Sequence, residues 1–337
     1  MTTSEDIAVI GAGSYGTCLA VLFGKAGHRV SLYCRGADKA AAMEAARENA
    51  AYLPGHRFPD SVRVTSDLED AVRAKRFVLG VTPSHGIREV LGRAAAALDP
   101  DAIVINAAKG LEDGTLQSID AIYRDILPAR IAARATYLSG PTFASELAAG
   151  MPAAIVLAGH DPETSRAAQR ALSHPKFRIY TTDDVLGVLI GGALKNVIAI
   201  AAGMSDGLGF GSNTRDALIT RGLAEITRVG VALGAHAQTF AGLSGMGDLV
   251  LTCAGDASRN RRVGLGLGRG KSMAEILGEM NQVAEGVKTT KVARELAGKL
   301  GIEAPITDTM YAIMHAGVPV GEAIQQLLDR PTRSERD

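Results

Sequence analysis

Six residues, Gly11-Ala12-Gly13-Ser14-Tyr15-Gly16, stand between a short apolar run at 7–10 and an alanine-rich helical stretch at 17–26. An apolar strand that breaks at a glycine-rich turn and opens directly into a helix starts a strand–helix–strand unit, and so constrains the chain to an α/β sheet. Each glycine answers a separate demand. Gly11 permits the tight turn, Gly13 omits the Cβ so that a pyrophosphate can approach the backbone, and Gly16 allows close helix–strand packing. The helix N-terminus then offers unpaired N–H groups and the positive end of its dipole to phosphate. A plain tight turn would use the same residues, so the weight rests on context: strand before, helix after.

Short β-branched runs recur at 29–33, 77–81, 103–105 and 136–138, with helical stretches at 39–50 and 87–97. Apolar strands alternating with helices predict a parallel sheet covered on both faces. Runs at 153–157 and 177–180 extend the series. Beyond about residue 183 the alternation stops and apolar residues fall at helical spacing, as at 217–233 and 283–300. The expected fold class is α/β: a Rossmann-type, mostly parallel sheet domain over 1–183, then an all-α substrate domain over 184–337. A length of 337 residues accommodates both. The charged tail, 329–337, is expected to fray.

Composition removes several functions. Lys and Arg total 36, as do Asp and Glu, so no bulk charge draws the chain to nucleic acid or an anionic membrane. Trp is absent and aromatics are 4%, which leaves little for stacking single-stranded bases. Cys18, Cys34 and Cys253 are odd in number, far apart and without CxxC spacing. That pattern suits a cytoplasmic protein better than a disulfide scaffold or zinc site. The polar start, Met1-Thr2-Thr3-Ser4-Glu5-Asp6, has no signal-peptide pattern. The most apolar stretch, 185–204, carries Lys195 and Asn196 at its centre. A spanning helix would set that lysine near mid-bilayer at a cost of about 2.5–3.5 kcal/mol, so a buried helix is expected and no membrane insertion.

At the end of the second strand, NAD-specific proteins place an acid for the ribose 2′-hydroxyl. Here the sequence is Tyr33-Cys34-Arg35-Gly36. Arg35 pairs with a 2′-phosphate if it faces the site, and is an ordinary surface arginine if it does not; NADPH is accommodated alongside NADH.

Further motifs follow GAGSYGT at 11–17 in fixed order: NAAYLPG at 49–55, AAKGLE at 107–112, LSGPTFA at 138–144, GALKNV at 192–197, LSGMGDL at 243–249, SRNR at 258–261 and VAEG at 283–286. Each alone is weak. In this order and spacing they make the chain resemble, over nearly its whole length, the bacterial NAD(P)-dependent glycerol-3-phosphate dehydrogenases. One departure is Tyr15, where the family usually has Trp; an aromatic of similar shape keeps the apolar face. The resemblance implies reversible reduction of dihydroxyacetone phosphate by NADH or NADPH to sn-glycerol 3-phosphate, for glycerophospholipid synthesis. It implies that Ser14, Tyr15, Arg35, Tyr52, Lys109 and Ala144 line the dinucleotide. Lys109, Gly140, Thr142, Lys195, Asp248, Ser258, Arg259 and Asn260 would line the substrate. Arg259, Val283 and Glu285 would close on the cofactor from the helical domain.

The residues make chemical sense of that reaction. Hydride transfer to a ketone builds negative charge on the carbonyl oxygen, which needs a proton donor. Lys195 interrupts the most apolar segment, where burial lowers an ammonium's pKa toward the working range; otherwise it is a lysine snorkelling to solvent. Asn196 is not expected to be catalytic. Asp248, in a glycine-flanked turn, holds Lys195, accepts a substrate hydroxyl, or caps a helix starting at Leu249. Ser258-Arg259-Asn260 offers a hydroxyl, a guanidinium and an amide to a phosphate dianion, or is an N-cap with a basic turn. Lys109-Gly110 and Gly140-Pro141-Thr142 both follow strands, at the carboxyl ends where open sheets bind ligands. His56, His85, His174 and His236 show no metal spacing, and the lysine removes the need for a metal.

Two other readings remain open on sequence. Related two-domain dehydrogenases act on β-hydroxy acids and also use a helix lysine, but read a carboxylate. A nucleotide-sensing regulator would keep the fold and lose the chemistry. A homodimer is compatible with the helical half, but no sequence signal specifies one.

Overall fold

The apolar strand residues divide by parity. Ile7 and Val9 enter the core on one face of the sheet, Ala8 and Ile10 the core on the other; Phe77, Leu79, Ile103 and Ile105 follow the first, Val78 and Val104 the second. Period-two alternation between two buried faces is what a helix-covered parallel sheet requires.

The structure is a computed structural model that describes residues 4–280, 284–332 and 334. Its sheet consists of β1 (Asp6–Ile10), β2 (Arg29–Tyr33), β3 (Val62–Thr65), β4 (Phe77–Gly80), β5 (Ile103–Asn106), β6 (Thr136–Ser139), β7 (Ala153–Gly159) and β8 (Phe177–Thr182). The order is β3-β2-β1-β4-β5-β6-β7-β8. Neighbours run parallel except β6 and β7, which pair antiparallel, Thr136 opposite Gly159. The connections diverge between β1 and β4, so a crevice opens at the carboxyl ends of these strands.

The α/β expectation holds, with two corrections. The short edge strand β3 was not expected: it has four residues and carries Arg63 in its middle. The helix expected over 39–50 is Ala37–Ala46 and stops at Arg47, whose φ is +54°. Its guanidinium donates to the Pro59 and Val62 carbonyls, 2.7 Å each, tying the break to β3.

The rest of the chain is helical and wraps the helix Val185–Gly207. Asp184 caps it, accepting from the Gly187 N–H at 2.9 Å, and its other oxygen accepts from the His236 N–H at 3.0 Å. At 23 residues it passes the length and apolarity test for a membrane span, yet 94% of its most apolar stretch is buried within the fold. It is a core helix, as expected. The helix Arg259–Gly268 packs on it through glycines. A Cβ on Gly264 would lie 1.9 Å from the Ile200 carbonyl oxygen, and one on Gly203 would lie 2.0 Å from that of Arg261. This backbone-to-backbone approach fixes where Arg259, the first residue of that helix, stands. The tail beyond Leu328 is described only at 329–332 and 334, so most of the fraying expected there lies outside the described residues.

Candidate active site

The glycine turn is held by its own backbone. Gly11 has a φ of +118°, and its N–H donates to the Tyr33 carbonyl at 3.2 Å. A Cβ on Gly11 would lie 2.8 Å from the Val81 oxygen, and one on Gly16 would lie 1.9 Å from the Gly11 oxygen. The close approach at Gly16 is thus to the turn itself before the strand. Gly13 differs: a Cβ there would meet nothing within 4 Å, so the backbone is open on that side. No side chain caps the helix Ser14–Lys25. A bare helix N-terminus beside an open glycine fits a dinucleotide pyrophosphate.

The 49–55 segment braces this turn. The Asn49 amide donates to the Ala12 carbonyl at 2.9 Å and to the Thr17 hydroxyl at 2.8 Å. Ser14 Oγ donates to the Tyr52 carbonyl at 2.8 Å. Arg35 lies exposed just past β2, with no hydrogen-bond partner among the described residues.

The candidate centre lies where the sheet domain and the helical domain meet. Lys109 follows β5, Lys195 sits at mid-helix in Val185–Gly207, and both reach one carboxylate. Lys195 Nζ donates to Asp248 Oδ1 at 2.5 Å, and Lys109 Nζ to Asp248 Oδ2 at 2.5 Å. Lys195 also donates to Thr252 Oγ1 at 2.7 Å. The Lys195 side chain is 7% exposed, which excludes snorkelling. Burial pushes its ammonium down to about 8; Asp248 opposes this and Lys109 adds to it. Burial alone would push the Asp248 carboxyl up, but the two ammoniums outweigh it and hold it below the usual carboxylate range.

Asp248 is the first residue of the helix Asp248–Ala254 and follows a π-helical turn, Leu243–Gly247. Its oxygens serve lysines, so the helix-capping role open on sequence is not what the side chain does. Thr252, one turn later, was not singled out by sequence; its spacing of four from Asp248 is the signal that could have found it.

Gly140, at the end of β6, has a φ of +148°, and its carbonyl lies 3.5 Å from both Lys109 Nζ and Thr142 Oγ1. Of the Ser258-Arg259-Asn260 group, two members already hold the protein together. Ser258 Oγ accepts the Arg261 N–H at 3.2 Å as an N-cap. Asn260 donates to Asn196 Oδ1 at 2.8 Å and accepts the Gly286 N–H at 2.9 Å. Arg259 is exposed, with no hydrogen bond among the described residues. Glu285 begins the helix Glu285–Leu300 and bridges the domains, its carboxylate accepting the Ser84 N–H at 2.9 Å. Ala144 opens the short helix Ala144–Ala148, and its side chain and the Tyr15 ring pack on one core cluster. Val283 lies outside the described residues. Sequence did not single out Asn49 or Ser84 for their roles here; both depend on contacts across the chain. Among the described residues no group of His, Cys, Asp or Glu is placed to hold a metal ion, and all three cysteines are free.

Comparison with known proteins gives the family. Residues 6–165 match the N-terminal family profile of the NAD-dependent glycerol-3-phosphate dehydrogenases, and residues 184–325 match the C-terminal profile. A glycerol-3-phosphate dehydrogenase (NAD(P)+) of Geobacter sulfurreducens is 50% identical over 333 residues, covering 99% of each chain. One from Moorella thermoacetica is 46% identical, covering 98% of each. The solved glycerol-3-phosphate dehydrogenase of Coxiella burnetii superposes with a TM-score of 0.92 at 37% identity, over 97% of this chain and 99% of that one. A D-mandelate dehydrogenase solved with NADH, at 14% identity and a TM-score of 0.63, shares the fold alone; it covers 96% of this chain and 99% of its own.

Proposed function

The chain belongs to the NAD(P)-dependent glycerol-3-phosphate dehydrogenases, and from that premise we propose that Lys195 is the proton carrier in the interconversion of dihydroxyacetone phosphate and sn-glycerol 3-phosphate. The observation that carries this is one buried lysine, held between Asp248 and Thr252, with its ammonium pushed down to about 8. At that value it gives a proton to the developing alkoxide in reduction and takes it back in oxidation. The nicotinamide, when bound, supplies or accepts the hydride. Asp248 keeps Lys195 aimed and spaces Lys109 from it. Lys109, Gly140 and Thr142 line the substrate from the sheet; Arg259, with Ser258 and Asn260 beside it, takes the phosphate. No metal enters this scheme.

For the cofactor, the turn Gly11, Gly13 and Gly16 with Ser14, Tyr15, Tyr52, Lys109, Ala144, Arg259 and Glu285 forms the cradle. Arg35 takes the 2′-phosphate, so both cofactors serve and NADPH benefits. The domains divide at 183/184, between β8 and the capped helix. The product feeds glycerophospholipid synthesis in the cytoplasm, without nucleic-acid or membrane partners.

The test follows nicotinamide absorbance with dihydroxyacetone phosphate, then with β-keto acids, using NADPH and NADH in turn. Turnover confined to the ketone phosphate supports the reading. Turnover of a keto acid instead would move the chain to the hydroxy-acid enzymes, and cofactor binding without turnover would make it a sensor. Arg35→Ala is expected to lose NADPH use selectively; equal losses with both cofactors would remove its 2′-phosphate role.

A further inference from the structure

The SRNR motif at 258–261 ends on a residue that the proposed chemistry leaves unused. Arg261 binds the long helix instead of facing substrate. Its Nε and Nη2 donate to Asp206 Oδ2 at 3.1 and 2.7 Å. Asp206 lies in the last turn of Val185–Gly207, and Arg215, from the helix Ser212–Ala232, reaches its other oxygen at 3.4 Å. Both partners are largely buried, the Arg261 side chain 13% exposed and that of Asp206 12%. Two nitrogens on one oxygen fix the guanidinium plane, and removing either partner would leave a largely buried charge unpaired. The third nitrogen, Nη1, donates to Asp256 Oδ1 at 2.8 Å, in the turn before Ser258. That carboxylate is 97% exposed, where an ion pair contributes little. The Arg261 N–H meanwhile donates to Ser258 Oγ at 3.2 Å, so one residue joins the long helix to the turn that bears Arg259.

We propose that Arg261 is a positioning residue: anchored on Asp206, it sets the separation between Arg259 and Lys195. This rests on the function proposed above, in which Arg259 takes the phosphate and Lys195 carries the proton. Arg259 is exposed and makes no hydrogen bond among the described residues, so its neighbours place it. Asn260 ties the motif to Asn196, the residue after Lys195. Asp206 lies about three turns beyond Lys195 on the same helix, and so on the same face, where Arg261 makes a second tie. One tie leaves a pivot, and two fix a direction. A substrate held at its phosphate and reacting at its carbonyl needs both groups at one spacing, and a misplacement of about 1 Å costs about 10²-fold.

The test is a double-mutant cycle on dihydroxyacetone phosphate with NADPH. It combines Arg261→Lys, which keeps the charge and loses the planar contact, with Arg259→Ala. In the native background Arg261→Lys should lose about ten- to a hundredfold in kcat/KM. With Arg259 already removed, the same change should lose less than about twofold. Asp206→Asn should behave as Arg261→Lys does in both backgrounds, and replaces it in the cycle if the lysine variant does not fold. Asp256→Asn should lose less than about twofold, as an exposed partner. Equal losses with and without Arg259 would overturn the proposal, since a bond that only holds the fold costs both backgrounds alike. So would a loss from Asp256→Asn as large as that from Asp206→Asn, or no loss from Arg261→Lys in the native background. If Arg259→Ala alone left KM for the ketone phosphate unchanged, the phosphate role proposed above would fail and the positioning role with it. A raised KM with equal losses in both backgrounds removes the positioning role alone.

Discussion

Around Lys195 three influences act with different signs. Burial lowers its pKa, the Asp248 carboxylate raises it, and the Lys109 ammonium lowers it, the outcome lying at about 8. Oxidation of glycerol phosphate needs the neutral amine, so its kcat/KM should rise with pH and level off above about 8. Reduction needs the ammonium and should fall over the same range. Removing Asp248's charge with Asp248→Asn takes away the raising influence and should move the oxidation midpoint to lower pH. Lys109→Met removes a lowering influence and should move it higher. Both midpoints come from pH profiles of each variant, and shifts in the same direction would contradict the shared-carboxylate arrangement.

The glycine seam shows how an element is placed as well as formed. Arg259–Gly268 lies against Val185–Gly207 because Gly203 and Gly264 leave no Cβ between the backbones. Gly264→Ala would bring a Cβ to 1.9 Å from the Ile200 oxygen. It should cost roughly 1–3 kcal/mol by overpacking. Thermal unfolding should register that loss, and KM for the ketone phosphate should rise as Arg259 is displaced. An unchanged melting temperature would mean the two helices are free to separate. Elements that sequence revealed clearly were those buried nearly throughout, such as β1 and the long helix, which read as unbroken apolar runs. The edge strand β3 was hidden because only Val62 and Val64 of its residues are buried. The end of Ala37–Ala46 was hidden because alanines run on past it. What stops the helix is a left-handed Arg47 bound to carbonyls 12 and 15 residues away.

At the scale of the molecule, the site is made by contacts between segments far apart in sequence. Asp248 meets Lys195 across 53 positions and Lys109 across 139, and Glu285 meets Ser84 across 201. Sequence marked Lys195 as a charge in an apolar run and Lys109 after a strand, and offered Asp248, in a glycine-flanked turn, as one group that could hold Lys195. That one carboxylate serves both lysines, and that Asn260 ties three segments together, emerges only from the packing. The Glu285 bridge carries a prediction of its own. Glu285→Ala should weaken NADPH binding and raise KM for the ketone phosphate together, each by about tenfold for one hydrogen bond to a charged group. An effect on the cofactor alone would mean that the bridge does not set the angle between the domains. The central claim is the proton role of Lys195, and single-turnover hydride transfer in Lys195→Met tests it most directly. With NADPH affinity retained, the rate of dihydroxyacetone phosphate reduction should fall by about 10²–10⁴-fold. A variant that binds NADPH and reduces the ketone at nearly the native rate would contradict the account.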